Sequence, residues 1–156
     1  MTAIDYTDSV KAFCFGFQNN ISPASFENCM KFVSISHDIL QTILEGARRL
    51  YPRETIVILR GKIVQDTVRV SELLIPPLAN YGQGFASLPF HMLPLDFSLI
   101  GTVHSHPSGI LTPSPTDLNR SIGTIIMIVG FPFADESNVA VYSRDGQKLP
   151  LRVVPT

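Results

Sequence analysis

The chain has 156 residues, 45% of them hydrophobic, which is enough for one compact core and short of what two ordinary domains need. Its 12 basic and 13 acidic residues leave a net charge of -1, so no electrostatic excess draws it to nucleic acid or to an anionic membrane. Any function has to reside in a site.

The opening MTAIDYTDSVKAFCFGF puts Asp5 and Asp8 where a secretory signal needs positive charge, and no export signal is expected. The longest apolar runs, TIVIL and IIMIVGF, fall well below the roughly 20 residues that span a bilayer. The expectation is a soluble, cytoplasmic protein in which Cys14 and Cys29 are reduced thiols. Residues 1–33 read as an N-terminal extension of short apolar pieces broken by turn formers, with Ser22 and Pro23 suited to start a short helix. Such an extension is expected to pack on the main domain, residues 34–156, or to cover a sheet edge, with a separate binding function as the alternative.

From Ser36 the pattern changes. Ile39, Leu40, Ile43, Leu44, Ala47 and Leu50 recur at steps of three and four, which predicts an amphipathic helix with Ser36 as N-cap, Arg48 and Arg49 near its C-terminal end, and Pro52 as its stop. The β-branched stretch ETIVILRGKIVQDTVRVSELLIPP predicts two strands, about Thr55 to Arg60 and Thr67 to Ile75, with Gly61 and Lys62 as the turn. Pro76 to Pro89 reads as a surface loop with a short extended piece near Phe85 to Leu88. DFSLIGTVHSH alternates as a strand, SPTDLNRSI opens a helix, and TIIMIVGFPF has the continuous apolar character of a strand buried on both faces. The tail NVAVYSRDGQKLPLRVVP reads as a hairpin turned at Asp145 and Gly146. Helices interspersed with strands in this way indicate a mixed α/β sandwich.

The chemistry concentrates in GTVHSHPSGILTPSPTD. His104 and His106, two apart on a strand, leave from the same face about 6.6 Å apart, close enough for both imidazoles to reach one metal ion. Zinc with two histidines needs a third protein ligand and, for catalysis, an open fourth position; Asp117, returned by the loop and the first turn of the next helix, is the carboxylate at hand. Such a His₂Asp set is a hydrolytic arrangement. Ser114, Pro115 and Asp117 also form a helix-capping pattern, and both roles are compatible if the Asp117 carboxylate is not wholly spent on the cap.

His104, Ser105, His106 and Pro107, followed after six residues by Ser114 and after two more by Asp117, resemble the motif of the JAMM (MPN+) metalloprotease family. The likeness runs from Val33 to about Val154 and includes the helix ending at Tyr51–Pro52, the ETIVILRG strand and the closing hairpin. The resemblance implies a single MPN-type domain of α/β (mixed α+β) class, a curved mixed β-sheet sandwiched by helices in a cytidine-deaminase-like arrangement. It implies one catalytic zinc ion held by His104, His106 and Asp117, with Ser114 helping to hold the tetrahedral intermediate. The family also has an upstream glutamate. Spacing alone leaves Glu45, Glu54 and Glu72 open, and the family's placement at the start of the first long strand points to Glu54, where a carboxylate can take a proton from water and return it to a leaving amine.

His37 reads as a surface residue, His91 as structural, and a zinc site from Cys14, Cys29 and His37 has no compact spacing behind it. The resemblance implies cleavage after the Gly-Gly tail of ubiquitin or ubiquitin-like modifier proteins, the tail adding as a strand to an edge in the Pro76 to Pro89 region. The short link from Asp117 to TIIMIVGF leaves no room for a second insertion with an additional zinc, which suggests a minimal, prokaryote-type enzyme. Three alternatives share features of the motif: a peptidase that processes a sulfur-carrier protein, a RadC-like protein with HSHPSG, and a non-catalytic MPN scaffold. Oligomeric state is not legible.

Overall fold

The computed structural model describes residues 32–75, 80–82, 85–87 and 96–156. The readings of Cys14, Cys29, the Ser22–Pro23 cap and His91 lie outside them.

The first strand, β1 (Phe32–Ser36), runs directly into α1 (His37–Leu50). Phe32 and Val33, assigned to the extension from sequence, therefore belong to the sheet. Ser36 caps α1 through its side-chain oxygen, which accepts from the Ile39 N–H, and Asp38 and the two arginines sit at the ends that suit their charges. The apolar stripe Leu40, Ile43, Leu44 and Ala47 is buried. His37 is exposed, as expected.

Next come β2 (Ile56–Val64) and β3 (Thr67–Leu74), an antiparallel pair. Their turn is not at Gly61–Lys62, as the sequence suggested, but at Gln65–Asp66, with Gln65 at φ 57°. Gly61 has a different purpose. The register slips between Arg60 and Gly61, and a Cβ at Gly61 would lie 2.0 Å from the Arg69 carbonyl oxygen, so the bulge admits only glycine. β4 (Asn80–Gly82) and β5 (Phe85–Ser87) then form a small hairpin, the second of which is the expected extended piece.

The remaining elements are β6 (Leu99–His106), the short helix α2 (Pro115–Asn119), β7 (Ile125–Gly130), a 3-10 turn at Glu136–Asn138, β8 (Val139–Ser143), β9 (Lys148–Leu149) and β10 (Leu151–Val154). The eight-stranded main sheet has the order β10-β1-β3-β2-β6-β7-β8-β9. β9 and β10 are separated only by Pro150 yet lie at opposite edges, so the sheet must curl until its two edges nearly meet. The Val33 N–H donates to the Pro150 carbonyl at 2.9 Å and fastens that closure.

The two faces of the sheet are covered differently. On one, Val33, Ile35, Leu59, Val68, Val103, Met127 and Val141 pack with the buried stripe of α1. On the other, Ile126, Ile128, Ala140 and Tyr142 meet Leu111 and Leu118, while Ile56 and Ile58 meet Ile122. That second cover comes from the link between β6 and β7, whose only helix is the single short α2. His104 pairs with Ile56 on one side and Ile128 on the other, so its side chain belongs to this second face.

Candidate metal centre

β6 delivers the two histidines and the link delivers the acid. His104 and His106 leave the strand on the face covered by the link, and His104 is almost wholly buried. Directly after His106 the chain reverses: the Gly109 N–H and the Phe131 N–H both donate to the His106 carbonyl, and Gly109 takes φ 77°. This turn brings the Ile110 carbonyl to 2.8 Å from His106 Nδ1. A carbonyl can only accept, so Nδ1 carries the proton and Nε2 of the neutral ring keeps its lone pair.

α2 opens with a complete capping box. The Ser114 N–H donates to Asp117 Oδ2 at 2.7 Å, and the Asp117 N–H donates to Ser114 Oγ at 3.2 Å. The competition between cap and metal ligand thus resolves within one carboxylate. Oδ2 carries the cap, while Oδ1 faces His104 Nδ1 at 3.3 Å; Oδ2 also lies 3.4 Å from His106 Nε2. Ser114 Oγ acts as acceptor in the cap, and its own proton lies toward the Asp117 carboxylate.

Glu54 reaches the same place from the segment just ahead of β2. The antiparallel register sets Ile56 against His104, and the Ser105 N–H donates to the Thr55 carbonyl at 3.0 Å, extending the pairing by a step. Continued once more, that register sets Glu54 opposite His106. The other two glutamates left open by spacing are elsewhere: Glu45 pairs with Arg49 on the outside of α1, and Glu72 pairs with Arg60.

Charge and burial tune the four groups against one another. Burial raises the Glu54 carboxyl above its ordinary pKa, with the His106 charge opposing and Asp117 adding to the rise. Burial lowers His104, partly countered by Asp117. For His106 burial acts downward too, but the Asp117 contact, the Ile110 carbonyl and the charges of Asp117 and Glu54 together raise it. Burial pushes Asp117 upward, and the contact with His106, the bonds its carboxylate accepts from the Ser114 N–H and hydroxyl, and the His104 charge overcome this and hold it well below the usual carboxylate range.

Among the described residues no group of three or more His, Cys, Asp and Glu side chains makes a ready-formed metal cluster. The three expected ligands meet pairwise through Asp117 instead. Their chemistry nevertheless fits zinc. The 3.4 Å between His106 Nε2 and Asp117 Oδ2 is longer than a good N–H···O bond and close to the roughly 3.3 Å spacing of two donors that share a tetrahedral ion at about 2.0–2.1 Å. His104 Nε2 is buried with no hydrogen-bond partner. His106 donates its second nitrogen to a backbone carbonyl, as ligating histidines commonly do.

Residues 36–145 match the family model described as prokaryotic homologs of the JAB domain. The chain belongs to that family. A relative from Haloferax volcanii named "Probable metalloprotease" is 32% identical over 111 residues, 67% of this chain and 69% of that protein. A JAB1/MPN domain protein from Archaeoglobus fulgidus is 32% identical with a TM-score of 0.56, covering 78% of this chain and 98% of its own. A structure described as "JAMM: A Metalloprotease-like Zinc Site in the Proteasome and Signalosome" is also 32% identical, with a TM-score of 0.54, 80% of this chain and 98% of its own covered. The JAB domain described above thus has the fold of these JAB1/MPN neighbours, as the motif implied.

One residue of this JAB domain escaped the sequence reading as a site element. Ser105 is fully buried, and its Oγ accepts from both the N–H and the hydroxyl of Thr55, at 2.8 and 3.0 Å. The signal was available: alternation directs Ser105 to the apolar face under α1, where a hydroxyl has no business without a partner.

Proposed function

We propose that this JAB domain is a zinc-dependent peptidase or isopeptidase that cleaves after the C-terminal Gly-Gly of ubiquitin or ubiquitin-like modifier proteins. The observation that carries the reading is the convergence of His104, His106 and Asp117 on one face of the sheet, with Glu54 set opposite His106 by the strand register. His104, His106 and Asp117 are the groups that would hold the ion. Zinc in such a set supplies Lewis acidity, acidifying a water and polarising a carbonyl.

The chain's own residues do the remaining work. Glu54, with a carboxyl raised by burial, accepts the proton of the attacking water and passes it to the amine as the C–N bond breaks. Ser114, held at the start of α2 with its hydroxyl beside the Asp117 carboxylate, turns that hydroxyl to donate to the oxygen that gains charge at the carbonyl. Ile110 keeps the His106 ring oriented through Nδ1. The extended glycine tail is placed as an added strand beside the β4–β5 hairpin, within the region that the sequence reading took as the substrate edge. A cytoplasmic setting suits such a substrate.

The test is incubation of zinc-loaded protein with isopeptide conjugates, linear fusions and cysteine adducts of Gly-Gly-tailed proteins. Cleavage after Gly-Gly is expected, with Glu54→Gln retaining zinc and losing at least about a hundredfold in kcat. Turnover of a sulfur-carrier adduct alone would establish the narrower peptidase. Bound zinc with no cleavage of any substrate would refute the reading in favour of a scaffold.

A further inference from the structure

We infer that Ser105 is a positioning residue for Glu54, clamping the segment that carries the base to the strand that carries the two histidines. The inference rests on the peptidase reading, in which Glu54 handles the proton. Glu54 lies just ahead of β2, outside the regular ladder, which ends at the Ile56–His104 pair. A side chain at a frayed strand end would ordinarily be loosely placed. Here the next residue is tied down three times by one partner. Thr55 donates its N–H and its hydroxyl to Ser105 Oγ, and its carbonyl accepts from the Ser105 N–H. Both residues are buried, so water does not compete for these bonds.

The geometry divides labour across the sheet. Successive residues alternate faces, so His104 and His106 project to the site while Ser105 projects to the opposite side. By the same alternation Glu54 projects to the site and Thr55 away from it. The clamp therefore fixes the distance between base and ligands from behind, without occupying any of the space a substrate needs. The serine has the right size for this. Its oxygen serves as double acceptor, and alanine in its place would leave a buried N–H and a buried hydroxyl of Thr55 without partners.

Ser105→Ala is the direct test, with Ser105→Thr as conservative rescue and Ser105→Cys as a second probe of similar volume and weaker acceptor strength. In zinc-loaded protein we expect one zinc per chain in every variant. For Ser105→Ala, kcat should fall on the order of ten- to a hundredfold, as for a base misplaced by about 1 Å, with KM within about twofold. Ser105→Thr should restore most of kcat, and Ser105→Cys should lie between. If Ser105→Ala does not fold, the Cys and Thr variants still rank the effect, and equal kcat in both would overturn the inference. Wild-type kcat in Ser105→Ala would overturn it, as would loss of zinc, since the serine would then act on the ligands. Should the wild-type protein cleave nothing, the peptidase reading fails separately. The clamp is then judged from zinc-loaded crystal structures of wild type and Ser105→Ala: a displaced Glu54 carboxylate supports it, and an unmoved one overturns it.

Discussion

Replacing Asp117 by Asn keeps the side chain's size and one acceptor and removes its charge, which separates the cap of α2 from the anionic character of the site. In the wild type Oδ2 accepts the Ser114 N–H at 2.7 Å and the two oxygens stand 3.3 and 3.4 Å from the histidine nitrogens. A hydrogen bond to a charged group contributes about 1.5–3 kcal/mol, and one between neutral groups about 0.5–1.5 kcal/mol. The metal-free variant should therefore be about 1–2 kcal/mol less stable near neutral pH, or about 2–8 °C in Tm for a domain of this size. The pH dependence has two parts. His106 has a raised pKa beside the carboxylate, so its contribution is lost as pH rises through that value and is gained as pH falls. Asp117 is held below its ordinary range, so its contribution is present above about pH 4 and is lost as pH falls further. The gap between wild type and variant should widen modestly from about pH 7 to about pH 5 and then close below about pH 4. Urea unfolding of chelator-treated protein across this range measures it. Equal stability at neutral pH, or a gap that fails to close in acid, would show that the carboxylate does not hold these charges together.

Two further outcomes follow from the same geometry. Zinc at about a hundred times its Kd should stabilise the wild type by about 2.7 kcal/mol, roughly 5–10 °C by differential scanning fluorimetry, and chelator should reverse it; His104→Ala should show little shift. Gly101→Ala should cost about 3 kcal/mol or more in urea titration, because its Cβ would lie 2.4 Å from the Ile125 carbonyl oxygen and force β6 from β7. A variant of wild-type stability would mean that these strands are not packed so closely.

The elements with strong periodicity were legible from the chain. α1 announces itself through its apolar stripe and Ser36 cap, and β6, β7 and the β8–β9 hairpin follow from alternation or continuous apolar runs, but Leu151–Val154, read as part of that hairpin, leaves it to pair with β1. The Gly61–Lys62 turn failed because glycine marks both turns and points of close approach, and only the neighbouring strand reveals which applies. β1 was hidden because FVSIS is short and abuts a helix whose signal dominates it. At the site, the spacing of His104, His106, Ser114 and Asp117 carried their placement, since one strand and one tight reversal bring them together. Glu54 could be chosen among three glutamates only by resemblance, because its proximity to His106 depends on strand register fifty residues away. Ser105 was quoted within the motif, but its work is done on the far side of the sheet.

The curled sheet has a consequence for how the molecule is made. β10 pairs in parallel with β1, Val33 against Leu151, so the first and last strands described depend on each other across nearly the whole chain. On a ribosome, the four residues Leu151–Val154 emerge after every other described strand, and until then β1 lacks this neighbour. Contacts of such long sequence separation form late and slowly. A nascent chain halted before Leu151 would hold every residue of the proposed zinc site and yet be left with an unzipped seam, exposed to chaperones and proteases until the final strand closes it.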